Sequence, residues 1–276
     1  MNNIFNYNDD DTFIHRLSGL SKLIAFMALT STVMLTFDIR IIVGILIFSL
    51  IILRVSKITF RQIRVILIYV IFFLLINLFL TFLFEPEYAV GIYGTRHIIF
   101  KIFGRYVVTQ EQMFYQFTKM MKYASVIPLG IIFLFTTNPS EFAASINRIG
   151  VPYKVAYAFS LTLRYFPDVQ REYINISRAQ QARGLNISKD TSIIHRLKFG
   201  ILTVFPLIFS TLDRIENISN AMDLRGFSKF KRRTWYNAKK LNYKDYLAIL
   251  ITVGIFTSAI LISVFINGSR FYNPFI

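Results

Sequence analysis

The chain has 276 residues, 54% of them hydrophobic, and a mean hydropathy of +0.51, too apolar for an ordinary water-soluble domain. Its 31 basic and 15 acidic residues leave a formal net charge of +16, and apolar bulk joined to basic charge points to a membrane protein with its basic residues gathered on one side. It contains no cysteine, which excludes disulfides, thiol catalysis and cysteine-based metal sites.

The first residues, MNNIFNYNDDDTFIHR, are polar and acidic and lack the basic stretch and apolar core of a cleaved leader. Apolar runs follow at 23–37 and 41–53, separated by Phe37-Asp38-Ile39-Arg40. Each is short of the roughly 20 residues a full crossing needs. Asp38 and Arg40 are costly in mid-bilayer, so the runs read as two short helices whose turn sits at an interface. Residues 65–84 contain no charge and form the clearest span. Residues 110–136 read as a long helix opened by Thr109 and Gln112 at capping-box spacing. Pro128 is expected to bend it, and Lys119 and Lys122 to snorkel towards an interface. Loop 85–109 reads as either an external hairpin or an interfacial helix, and the last span is the uncharged run 247–266.

Residues 137–246 differ in character. NPSE (138–141) reads as a helix start with Asn138 as N-cap, Pro139 at N1 and Glu141 at N3, and RIGVP (148–152) as a stop and a new start. Two long helices are expected at about 153–183 and 191–225, interrupted near Pro167 and Pro206, which are candidate hinges or static kinks. In the second, Ile208, Leu212, Ile215, Ile218 and Met222 recur at helical spacing, with Asp213, Glu216, Asn217 and Asn220 mostly off the stripe. This helix is amphipathic and does not resemble a lipid-facing span. The expected organisation is all-α and polytopic: four transmembrane helices in 1–136, a helical insert in 137–246, and a fifth transmembrane helix with a tail in 247–276.

Residues 138–246 carry 18 basic and 8 acidic residues, and loop 54–64 adds four basic residues and no acid. The positive-inside rule places both in the cytoplasm together with the N-terminus, and the Asp38–Arg40 turn, loop 85–109 and the C-terminal tail outside.

Within the insert, NISRAQQARGL (175–185) is repeated as NISNAMDLRGF (217–227), with Asn, Ile, Ser, Ala, Arg and Gly in the same places. A basic residue and a glycine at a helix end are an ordinary C-cap, but a cap does not require the preceding Asn-Ile-Ser and Ala. Ala179 and Ala221 lie one turn before Arg183 and Arg225 on about the same face, where a small residue lets another surface approach. Each guanidinium can pair bidentately with a carboxylate, so two equal tips suit two similar sockets.

Other candidate sites are weak. The chain has no Gly-x-x-x-x-Gly-Lys-(Ser/Thr) loop, so it is not expected to bind ATP itself. His15, His97 and His195 have no ligand spacing, and no Ser/His/Asp arrangement is suggested. No metal, cofactor or catalytic residue is therefore expected. KFKRRTW (229–235) reads as a basic flank of the last span, with anionic headgroup contact as the alternative. The acidic residues of the insert and the lack of a recognised motif argue against nucleic-acid binding.

The repeat, in SRAQQARG and NAMDLRG, resembles the paired Ala-Arg-Gly motifs of the transmembrane T components of energy-coupling-factor importers, the EcfT/CbiQ family. The resemblance extends to FIHRLSGLSKLI and to TTNPSEFAASINRIGVPYKVAYAFSLTLRYFPDVQREYINISRAQQARG, and so to nearly the whole chain. It implies a non-enzymatic subunit of a bacterial cell-membrane importer of a vitamin, metal or other micronutrient. Two cytoplasmic ABC ATPase subunits would receive the tips Ala182-Arg183-Gly184 and Leu224-Arg225-Gly226. A membrane-embedded substrate-binding S component would complete the complex. Ile208, Leu212, Ile215, Ile218 and Met222 would contact that S component or pack between the two long helices. Leu224 departs from the alanine usual in the second motif and alters how closely that tip docks. A conventional ABC permease with its own substrate pathway is the alternative.

Overall fold

A computed structural model describes residues 12–58, 60–103, 106–184, 192–227, 229, 234–235 and 238–275. In chain order the helices are α1 (Phe13–Arg16), α2 (Gly19–Leu35), α3 (Ile39–Val55), α4 (Phe60–Phe84), α5 (Tyr88–Tyr93), α6 (Gln110–Thr136), α7 (Pro139–Arg148), α8 (Tyr153–Ala182), α9 (Ile193–Leu224) and α10 (Tyr243–Leu261). A π-helical turn, Ile262–Ile266, closes the last helix, and β1 (Ile98–Phe103) pairs antiparallel with β2 (Tyr106–Thr109). The chain is an all-α, multi-pass membrane protein. Among the described residues, Ile63–Phe84, Gln110–Thr136 and Tyr243–Ile266 are long and apolar enough to cross a membrane. Helices α2 and α3, 17 residues each, rise about 26 Å, a little less than the roughly 30 Å hydrocarbon core. Loop 85–109 contains both a short helix, α5, and the β1–β2 hairpin.

The helix starts follow from side-chain capping. Ser18 accepts from the Ser21 N–H at α2, Asp38 from Arg40 at α3, and Thr109 from Gln112 at α6. Asn138 accepts from the Ser140 N–H at 3.0 Å at the start of α7. At α10, Asn242 and Asp245 form a reciprocal capping box. The Asp245 carboxylate also accepts from the Ser18 N–H and the Ser21 hydroxyl, both at 2.7 Å, and so joins the N-terminal ends of α2 and α10.

The chain divides into two compact units, Met1–Phe142 with Ala238–Ile276, and Ala143–Asn237. In the first, Leu29, Val33, Ile45 and Leu129 form one core cluster, and Ile63, Ile131 and Phe135 a second. The side chains of α4 are largely exposed, as suits a helix apolar all round. Lys122 and Lys119 find acceptors within this unit. Lys122 is buried: its Nζ donates to the Met34 carbonyl at 2.7 Å and lies 3.6 Å from the centre of the Phe37 ring. Lys119 Nζ donates to Thr81 Oγ1 at 3.0 Å. Lys22, also buried, donates to the Thr136 carbonyl at 2.6 Å. The physical reason is local: the last carbonyls of α2 and α6 have no helical donor, and an ammonium inside the bundle satisfies them and the negative end of the helix dipole together.

The C-terminal tail is fastened across the far end of this unit. The Phe37 N–H donates to the Arg270 carbonyl at 2.7 Å, and Asn273 Nδ2 donates to the Tyr93 carbonyl at 3.2 Å. Phe271 and Phe275 complete an aromatic cluster with Phe37, Tyr93, Phe114 and Tyr115. The fully buried Asp38 carboxylate accepts from Arg40 Nη2 and Asn267 Nδ2, both at 2.9 Å. Burial pushes the Asp38 carboxyl up, but the hydrogen bonds from Arg40 and Asn267 outweigh it and hold it below the usual carboxylate value.

Lys22→Met leaves the Thr136 carbonyl without its donor, at a cost of about 1–3 kcal/mol, and thermal unfolding in detergent should show a lower midpoint. The Asp38 contribution is complete above the ordinary aspartate pKa of about 3.9 and is lost as pH falls through the lower folded value. Asp38→Asn should therefore lower the midpoint at pH 7 and flatten the acid limb of a midpoint-against-pH curve.

Candidate functional site

The second unit is built on α8 and α9, and their cross-links fix their direction. Tyr157 of α8 meets Phe227, just beyond α9, with ring centroids 4.7 Å apart. Further along α8, Glu172 accepts from Arg214 Nη2 at 2.8 Å and from Ser210 Oγ. Further still, Gln180 Nε2 donates to the Leu202 carbonyl at 3.2 Å. Positions rise on one helix as they fall on the other, so the pair is antiparallel. Both copies of the repeat stand at C-terminal helix ends and so lie at opposite ends of the pair. Tyr157 to Arg183 spans roughly 40 Å at about 1.5 Å per residue.

Both tips close by the same backbone chemistry. The Arg183 N–H donates to the Ala179 carbonyl at 3.2 Å, and the Arg225 N–H to Ala221 at 3.3 Å. The Gly184 N–H donates to Gln181 at 3.0 Å and the Gly226 N–H to Asp223 at 2.9 Å. Both glycines have positive φ, +91° and +64°. At the second tip the Phe227 N–H also donates to the Met222 carbonyl at 3.0 Å, a Schellman motif; Leu185, the matching residue of the first tip, lies outside the described residues. Capping therefore accounts for the glycines. It makes no use of the arginine side chains: among the described residues neither the Arg183 nor the Arg225 guanidinium has a hydrogen-bond or ion-pair partner. Ala179, Ala182, Arg183, Gly184, Ala221 and Arg225 are exposed, Leu224 is 91% exposed, and Gly226 is half-buried. Each tip thus presents a free, fork-shaped cationic donor with a small side chain one turn behind it.

The second tip is braced from behind. Phe227 packs on Tyr153 and Tyr157, and Trp235 packs on the same tyrosines while its Nε1 donates to Asn147 Oδ1 at 3.1 Å. Neither this brace nor the Glu172–Ser210–Arg214 clasp was found from the sequence. Each joins two segments 38 or more residues apart in the chain, which local sequence does not pair.

Pro167 and Pro206 do not interrupt their helices, contrary to the sequence expectation; α8 and α9 run through them. One proline removes one N–H donor, and a long helix otherwise bonded above and below tolerates that loss. Ile208, Leu212 and Ile215 of the apolar stripe are 48%, 53% and 55% exposed, while Ile218 and Met222 are half-buried. In the first unit, His15 is hydrogen-bonded to Thr12 and His97 to Glu111. The His195 side chain and most of 229–235 lie outside the described residues.

With this geometry in view, residues 10–236 match the model of a family described as cobalt transport protein, CbiQ. The chain is 26% identical over 252 residues to the energy-coupling factor transporter transmembrane protein EcfT of Exiguobacterium sibiricum, covering 88% of this chain and 92% of that one. It is 24% identical over 259 residues to the EcfT protein of Brevibacillus brevis, covering 90% and 92%. It is also 27% identical over 261 residues to a putative ABC transporter ATP-binding protein of Bifidobacterium longum, covering 90% of this chain and 31% of that longer one.

The tip geometry carries its own prediction. No atom crowds a Cβ added at Gly184, and at Gly226 the nearest is Lys229 Cβ at 3.8 Å, so the cost of alanine comes from the left-handed backbone alone. Gly184→Ala and Gly226→Ala should each destabilise their helix end by about 1–2 kcal/mol, seen as faster amide exchange confined to that end.

Proposed function

The chain belongs to the CbiQ/EcfT family of energy-coupling factor transporter transmembrane proteins, and we propose that it is the subunit that passes ATP-driven movement from two ABC ATPases to a substrate-binding membrane partner. The observation that carries this reading is the pair of arginine tips, without partners among the described residues, at opposite ends of one antiparallel helix pair. Tips roughly 40 Å apart cannot share one socket, whereas one tip on each of two ATPase subunits uses both. Ala182-Arg183-Gly184 and Leu224-Arg225-Gly226 dock in acid-lined grooves, with Ala179 and Ala221 allowing close approach. The Bifidobacterium relative, whose name is that of an ATP-binding protein of a transporter, supports a partnership with ABC ATPases.

On this reading the chain is not an enzyme: hydrolysis occurs on the ATPases, and substrate recognition on a separate S component that delivers a vitamin, metal or other micronutrient. The exposed stripe Ile208, Leu212 and Ile215, continued by Ile218 and Met222, offers that S component an apolar surface. The protein lies in the bacterial cytoplasmic membrane, with the N-terminus and region 137–246 in the cytoplasm and the tail after the last span outside. The charge distribution supports this orientation.

The test is charge reversal at the tips. Arg183→Glu and Arg225→Glu should each weaken co-purification of the ATPases roughly thirtyfold or more, the loss expected when one side of a desolvated charge pair is removed. The thermal midpoint of the isolated chain should not change. Full assembly and substrate uptake by the double variant would refute docking through the arginines. Uptake with ATPases but without any S component would point to a conventional permease.

A further inference from the structure

Pro206 breaks one hydrogen bond inside α9. Its ring nitrogen carries no hydrogen, so the carbonyl four residues earlier, that of Leu202, has no helical donor. That same carbonyl receives Gln180 Nε2 from α8 at 3.2 Å. Gln180 belongs to the first repeat, three residues before Arg183, and the matching residue of the second repeat is Met222, whose side chain has no N–H to donate. The two repeats thus differ where one of them reaches across to its neighbour.

We propose that Pro206 is not a hinge but a docking notch: it exposes the Leu202 carbonyl as an acceptor for Gln180, and this bond positions the first arginine tip on α9. Gln180 is a positioning residue, acting on Arg183 through the helix end they share. The function of that position rests on the coupling reading above; the bond itself does not. The second tip needs no equivalent, because Phe227 is held against Tyr153 and Tyr157. Eight residues towards the N-terminus of α8, the Glu172–Arg214 pair keeps the helices together when the notch is emptied, so its loss frees the tip and not the whole helix.

The chain lacks cysteine, so paired spin labels can be placed cleanly. Gln181 and Val204 are both exposed, and Gln181→Cys with Val204→Cys reports the spacing of the first tip from α9 in the full chain in nanodiscs. Gln180→Glu keeps size and shape but cannot donate; it should broaden the label distance distribution and lower the docked-to-free ratio about fivefold, the worth of one net hydrogen bond. Pro206→Ala returns an N–H to α9 and satisfies the Leu202 carbonyl internally, so it should produce the same broadening. The double variant should be no broader than either single one. Adding ATPases and an S component should then show reduced uptake for Gln180→Glu. Unchanged distances in Gln180→Glu, or broadening that adds in the double variant, would overturn the notch. Broadened distances with undiminished uptake would uphold the bond and overturn its role in coupling. Failure of the ATPases to bind the parent chain would count against the coupling reading alone, since the distances are read without them.

Discussion

A helix carbonyl that loses its donor must find another, and in a membrane water cannot supply it. This constraint organises the larger unit. Lys22, near the start of α2, caps the end of α6 through the Thr136 carbonyl, and Lys122 of α6 caps the end of α2 through the Met34 carbonyl. The two helices run antiparallel, and each lends a cation to the other's negative end. A buried ammonium is costly unless paired and hydrogen-bonded; here the helix ends are the pairing. The arrangement fixes the register of α2 on α6, because sliding either helix by one turn would strand two ammonium groups and two carbonyls at once. The other cross-links between distant segments, Asp245 to Ser18 and Asp38 to Asn267, follow the same logic with the opposite sign: each buried carboxylate takes donors from segments more than 200 residues away.

In the smaller unit, which the proposed orientation places in the cytoplasm, the helix ends are closed by the backbone. At both tips the final carbonyls are closed by the arginine and glycine N–H groups, with glycine supplying the left-handed turn. The arginine side chains are then spare. That separation of tasks makes the tips suited to binding, because a guanidinium engaged in capping its own helix could not also reach a partner. At Pro206 the carbonyl lost to proline is met from the neighbouring helix.

Much of this was legible in the sequence. Apolar runs marked the spanning helices, and Thr109, Asn138 and Gly150 marked boundaries that the structure keeps within a residue or two. The repeat located both tips. What could not be read was whatever depended on pairing between distant segments. Lys122 looked like a snorkelling residue because its one-dimensional neighbourhood is amphipathic, while its acceptor lies 88 residues away. The prolines looked like breaks because propensity prices the lost bond and cannot see a long helix supported on both sides. Glu172 stood in an unremarked polar stretch; only the antiparallel run of α8 against α9 turns it into the acceptor for Ser210 and Arg214.

The repeat also reads differently once the helices are placed. Its shared letters, Asn-Ile-Ser, Ala, Arg and Gly, build the two ends alike, and its differing letters fasten them by different means. Gln180 reaches laterally to a carbonyl with its side-chain amide, whereas the side chain of Met222, in the same position, has no N–H to reach with. Ala182 leaves the approach to Arg183 open, whereas Leu224 projects a large apolar side chain beside Arg225. A duplicated helix end with one polar and one aromatic brace, and one small and one bulky neighbour, offers two surfaces that share a cation and differ around it. Surfaces of that kind can tell two related but unequal sockets apart, because the common arginine provides the attraction and the unlike neighbours decide which end fits which.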